Sequence, residues 1–135
     1  MRKLVTSGNT FGHYPCALYA TDVTFQQVNR PAGNMAEAMP YYSAKPKLYG
    51  LKAEVSVNPR GFAIYCTKYE RGNTTDITNF RNNMEFHSSR RLKVEADRSL
   101  PDYGNLLAEF PEEWVVLIDK GYQGLGDHLR CIHHA

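Results

Sequence analysis

Short apolar runs alternate along this chain with polar stretches rich in turn formers, and their spacing predicts one element after another. Residues 1–14 carry little pattern. Ser7-Gly8-Asn9 and Gly12 interrupt any regular element, so residues 1–15 are expected to form a poorly structured N-terminal segment and 16–135 a single domain. Residues 16–28 read C-A-L-Y-A-T-D-V-T-F-Q-Q-V, a composition that favours a pleated strand. The first half is apolar enough for a central position, and Asp22 interrupts it. Residues 29–47 predict a loop, punctuated by Pro31, Gly33, Pro40 and Pro46. From Leu48 to Val57 the chain alternates with period two. Tyr49, Leu51, Ala53, Val55 and Val57 mark the face expected to be covered, and Lys52, Glu54 and Ser56 the other. Asn58-Pro59-Arg60-Gly61 then has proline second and glycine fourth, the chemistry of a type I turn. Residues 62–69 return as the second strand of an antiparallel hairpin.

Gly72 to Asp76, G-N-T-T-D, predicts a turn into a helix capped by Thr74, Thr75 or Asp76. Ile77, Phe80, Met84 and His87 fall on one helical face, and Arg90, Arg91 and Lys93 follow. Residues 94–113 are polar, broken by Pro101, Gly104 and Pro111, with a short helical turn expected over 105–110. Residues 114–124 then read W-V-V-L-I-D-K-G-Y-Q-G. An unbroken run such as Val115 to Ile118, bounded by turn formers, fits a strand buried on both faces. Asp119 ends it, at the position where open α/β sheets meet their ligands. Residues 129–132 predict a last short strand. A helix between a hairpin and a buried strand implies a crossover, hence an α/β domain built on a mixed sheet.

Composition narrows the class without naming a function. A chain of 135 residues, 42% hydrophobic and 22% charged, is one domain with a real core and not a disordered tract. A formal charge of +2 is too small to argue for nucleic acid. Cys16, Cys66 and Cys131 are odd in number and far apart, so they make no disulfide framework. With no signal-like start, this predicts a reducing, intracellular setting. No apolar run approaches the roughly 20 residues that a membrane helix needs.

The candidate chemistry is acidic. Asp22 on the first strand, Asp76 at the helix start and Asp119 after the buried strand can gather at one end of the sheet. Two carboxylates about 4 Å apart repel by roughly 4 kcal/mol at an effective dielectric near 20. A hard divalent cation relieves that repulsion, and Mg²⁺ prefers carboxylate oxygens plus waters. Each residue also has a plainer explanation: a helix cap for Asp76, a strand-end loop for Asp119. Asp22, mid-strand, is the hardest to explain so. Lys45, Lys47, Lys52, Arg90, Arg91 and Lys93 can contact phosphates, although solvated surface charge is commoner. Tyr41 and Tyr42 read as loop packing sooner than as a base-stacking platform. His128, Cys131, His133 and His134 match no established zinc spacing.

Four stretches together resemble a known family. They are Y-A-T-D-V-T-F-Q (19–26), Y-Y-S-A-K-P-K-L-Y-G-L-K-A-E-V-S-V (41–57), R-G-N-T-T-D (71–76) and L-I-D-K-G-Y-Q-G (117–124). The chain is similar, over about residues 17–132, to the DDE superfamily endonucleases, and among them to the Harbinger-type transposases. The resemblance implies an RNase H-like fold and a DNA-cutting site. Asp22, Asp76 and Asp119 would then be its catalytic, metal-binding carboxylates, with Mg²⁺ or Mn²⁺ as cofactor. It also implies DNA as partner, with Lys45, Lys47, Lys52, Arg90 and Arg91 as DNA contacts, a separate DNA-binding protein as a second partner, and a nuclear location. Two features depart from the family pattern. Arg71-Gly72-Asn73 stands where Pro-Gly-Ser is usual, and the sequence stops at Ala135, before the helix expected to carry a final glutamate. The expectation is therefore a C-terminally truncated DDE domain, or alternatively a non-catalytic transposase remnant that binds DNA or protein or has no function.

Overall fold

The computed structural model describes residues 1–44, 46–119, 122 and 129–134. In chain order its helices and strands are α1 (Arg2–Ser7), β1 (Ala17–Gln27), α2 (Met35–Ala38), β2 (Tyr42–Ser43), β3 (Leu48–Val57), β4 (Ala63–Cys66) and β5 (Glu70–Arg71). Then come α3 (Asp76–Asn82), α4 (Met84–Arg90), β6 (Val115–Asp119) and β7 (Cys131–His134). The strands form one mixed sheet in the order β2-β3-β1-β6-β7. β3 runs antiparallel to β1, whereas β6 is parallel to both β1 and β7. The outer edge of β3 is covered in three pieces, by β2, β5 and β4, all antiparallel to it. The fold is thus α/β with an antiparallel hairpin and a helical crossover to parallel strands, as the residue pattern predicts.

β6 is the centre of the core because it has apolar side chains on both faces. Val116 and Ile118 pack with Tyr19, Phe80, Tyr122, Leu129 and Cys131 on the helical side. Val115 and Leu117 pack with Cys16 and Ala17 on the other. This pairing also explains the polarity gradient along β1. Its partner β6 reaches only from Ala17 to Thr21, and those residues alternate between buried and half-buried. Past Thr21 the strand keeps β3 alone as neighbour, and there Asp22 stands exposed.

Several local details follow the sequence closely. The hairpin turn closes with the Gly61 amide donating to the Asn58 carbonyl at 2.9 Å, and Gly61 takes a left-handed φ of 85°. Thr75 caps α3, its hydroxyl accepting from the Thr78 amide at 3.2 Å. Gly72 has no room for a side chain, because the Tyr41 and Gly50 carbonyls lie where its Cβ would go.

Other expectations need correction. Residues 2–7, expected to be irregular, form α1, and Gly8 ends that helix with a left-handed cap instead of preventing it. The expected loop 29–47 contains α2, started by a capping box between Asn34 and Glu37. The single helix expected after Asp76 is two, parted at Asn83, whose backbone leaves helical geometry. The return strand spans only Ala63–Cys66, and β5 resumes the pairing with β3 farther along.

The largest correction concerns β3. Its polar face is the covered one: Glu54 and Ser56 are each 1% exposed, while Tyr49, Leu51, Val55 and Val57 are half-buried. Period two separates two faces but does not say which one a helix will cover. Here the polar face can be buried because each polar group finds a partner. Ser56 shares a short hydroxyl hydrogen bond with Thr21, and Glu54 meets α4 through His87.

Residues 93–113 cross beneath the sheet end and are pinned by a knot of buried charge. Arg130, with a fully buried side chain, donates to both oxygens of Asp102 at 2.6 and 2.9 Å and to the Asn105 and Glu113 carbonyls at 2.8 Å. Lys93 donates to Asp102 at 2.7 Å and lies over the Trp114 ring. The Trp114 indole N–H donates to Asp97 at 2.9 Å.

Candidate functional site

Asp22, Asp76 and Asp119 line one cleft of about 460 Å³, together with Lys52, Val23, Phe25, Ser43 and Pro46. Three separate elements bring the carboxylates there. Thr21 and Ile118 are register partners in the parallel pair of β1 and β6, so Asp22 and Asp119 follow side by side at its carboxyl end. Asp76 is the first residue of α3, which begins beside the sheet. Asp22 is exposed and its Oδ1 accepts from the Val23 amide at 2.8 Å. Asp119 is half-buried as the last residue of β6, and its carbonyl accepts from the Tyr122 amide at 3.1 Å.

Lys52 reaches the cleft from β3. Its Nζ lies 3.6 Å from Asp76 Oδ1 and donates to the Thr74 carbonyl at 2.9 Å. The Asp76 side chain keeps 33% of its exposure, so water screens this pair and limits what it contributes.

Beneath the cleft lies a buried polar row that periodicity alone does not reveal. Glu54 Oε1 accepts from His87 Nε2 at 2.5 Å and from the Asn83 side-chain amide at 3.2 Å. A carboxylate can only accept, so His87 Nε2 carries a proton. The other ring nitrogen, Nδ1, is 2.7 Å from the Tyr19 hydroxyl. Phe80 stacks on the His87 ring, 3.8 Å between centroids, and meets Tyr122 edge-on at 5.5 Å. Burial pushes the Tyr19 phenol up, and the Glu54 charge adds to this. Tyr122 is fully buried, and its phenol is raised by that burial first, then by the charges of Glu54, Asp76, Asp22 and Asp119. Tyr122 therefore remains a protonated donor in sight of all four acids. One signal for this row is visible in the sequence: His87 lies on an apolar helical face and so requires a buried partner.

The expected DNA contacts scatter. Lys52 lines the cleft. Lys47 is exposed in the turn before β3, with a φ of 57°. Arg90 is exposed and borders a different cavity, beside Arg2 and Lys3 of α1. Lys45 lies outside the described residues. Arg91 must be corrected: it is 1% exposed and donates to Glu113 at 2.7 Å, so its charge serves the interior and not a ligand. Lys93 is likewise engaged inside, with Asp102.

The histidine-rich end behaves as structure. Burial raises the Cys131 thiol to about 11, and His133 Nε2 is 2.8 Å from the Tyr122 carbonyl. His128 lies outside the described residues. Among the described residues no group of three His, Cys, Asp or Glu side chains is placed to hold a metal ion, and no helix is long and apolar enough to cross a membrane. Comparison with known proteins returns no matching family model, no matching curated protein and no matching solved structure.

Proposed function

We propose that the domain is an RNase H-like DDE endonuclease of the transposase type, and that its cleft binds Mg²⁺ or Mn²⁺ through Asp22, Asp76 and Asp119 to cut DNA. The observation that carries this reading is the meeting of three aspartates, distant in sequence, in one cleft at the carboxyl end of a parallel strand pair. The donor chemistry fits a hard cation, since all three side chains offer oxygen. A bound divalent pair would activate water and stabilise the leaving oxygen of a phosphodiester. The chain's own contributions are simpler. The carboxylates hold charge at fixed positions on two strands and a helix start, and Lys52 offers an ammonium to a phosphate on the same wall. DNA and a separate DNA-binding protein are the partners this reading implies, with action in the nucleus.

A second reading, a non-catalytic module that binds DNA or protein, is favoured by one observation. Asp76 is already engaged by Lys52, and no described trio is set for an ion. Nicking of supercoiled plasmid in Mn²⁺ separates the two. The nuclease reading expects nicking that disappears in an Asp22→Ala, Asp119→Ala double variant. Undiminished nicking by that variant would overturn it, and salt-sensitive DNA affinity without nicking would favour the module.

A further inference from the structure

Two buried side-chain oxygens near the cleft have no hydrogen-bond partner among the described residues: Glu54 Oε2 and the Tyr122 hydroxyl. Such atoms are rare in folded proteins and call for a physical explanation. One is an acceptor and the other a donor. Both residues belong to one packed row, since Glu54 holds His87, His87 stacks on Phe80, and Phe80 meets the Tyr122 ring. Arg91 Nε also lacks a partner, but its guanidinium is directed to Glu113. Tyr122 is joined to the cleft through backbone, because its amide closes a turn onto the Asp119 carbonyl at 3.1 Å. Glu54 is joined to the opposite wall, because His87 and Asn83 belong to the helical layer that begins with Asp76.

We propose that Glu54 and Tyr122 are positioning residues for the carboxylate cleft: the Tyr122 hydroxyl takes Glu54 Oε2 as its acceptor and ties the turn after Asp119 to the helical layer that carries Asp76. The inference rests on the cation-binding reading of the cleft. It adds that the separation of Asp119 and Asp76 is governed from below by a carboxylate that does not touch the ligand. The electrostatic setting agrees, since burial and the neighbouring acids keep the Tyr122 phenol protonated.

The test compares the full chain with Tyr122→Phe, Glu54→Gln and the double variant. Mn²⁺ affinity is read by calorimetry, stability by urea unfolding, and His87 ring nitrogens by NMR. Each single change should weaken Mn²⁺ binding about tenfold, the usual size for a residue that orients a ligand. The double variant should be no weaker than either single. Tyr122→Phe should also shift the His87 resonances, because losing the donor changes the charge that Glu54 presents to Nε2–H. Losses that add independently, or unmoved His87 resonances, would overturn the proposal. If the unaltered chain binds no Mn²⁺, the cation reading fails by itself, and urea unfolding decides the pair: non-additive losses uphold it and additive losses overturn it. Should Glu54→Gln fail to fold, the His87 resonances of Tyr122→Phe decide alone: a shift upholds the pair and no shift overturns it.

Discussion

The cleft and the knot under residues 93–113 use the same residue types to opposite ends. In the knot, Asp102 is 5% exposed and meets a fully buried Arg130 and a nearly buried Lys93. In the cleft, Asp22 is exposed, Asp76 keeps a third of its side-chain exposure, and Asp119 is half-buried. A buried carboxylate is tolerable only when cations and N–H donors surround it, and then it is committed to the fold. An acid that stays in reach of water carries little of the fold and keeps its oxygens for a ligand. Burial matters here more than charge: the depth of an aspartate decides whether it holds the chain or serves the site.

The strongest way to break this contrast is to neutralise the knot. Asp102→Asn keeps the shape but leaves Arg130 and Lys93 buried beside no counter-charge. Removing one partner of a buried pair costs about 3–5 kcal/mol, and urea unfolding should read a loss of that order. A loss under about 1 kcal/mol would mean that the knot contributes no more than a surface pair does.

Acid should reach the same group. Burial alone would raise the Asp102 carboxyl, but hydrogen bonds from Arg130, Lys93 and the Gly104 amide outweigh it and hold the group well below its ordinary 3.8. The folded chain then refuses a proton that the unfolded chain accepts. Stability from Asp102 is therefore present above that ordinary value and is lost as the pH falls below it toward the lower folded value. Urea midpoints followed from about pH 5 to about pH 2 should fall, and Asp102→Asn should flatten the slope. An equal slope in that variant would assign the acid sensitivity to other carboxylates.

Much of this contrast is legible in the sequence, though unevenly. β3 begins and ends where the alternation does, Thr75 caps where a cap is expected, and the apolar run of β6 is buried on both faces. These features depend on neighbours in sequence. The buried side of β3 does not, because it depends on whether Glu54 finds His87, which is 33 residues away. The same holds for Arg91, an ordinary basic residue by pattern that Glu113 draws inward across 22 positions. Of the cleft, the three aspartates can be read from the sequence because each marks the end or interruption of an element. Tyr122 and Glu54 cannot, since their importance comes from a layer that folding assembles. The Asn34–Glu37 capping box is present in the sequence, but the prolines around it point to a loop and mask it.

The smallest expected effect on stability is the one that sharpens the comparison most. Asp22→Asn and Asp119→Asn each replace a carboxylate by an amide of the same shape at the mouth of the cleft. Neither removes a buried ion pair described in the fold, so urea unfolding should move by no more than about 0.5 kcal/mol. Asp76→Asn releases Lys52 from a screened pair and should cost no more than about 1 kcal/mol. Mn²⁺ affinity should fall in all three, because each loses a charged oxygen donor. Function and stability then separate in the cleft, where they coincide in the knot. If instead Asp119→Asn destabilises the chain as severely as Asp102→Asn, Asp119 is a structural acid like Asp102, and the cation-binding reading loses the residue at its centre.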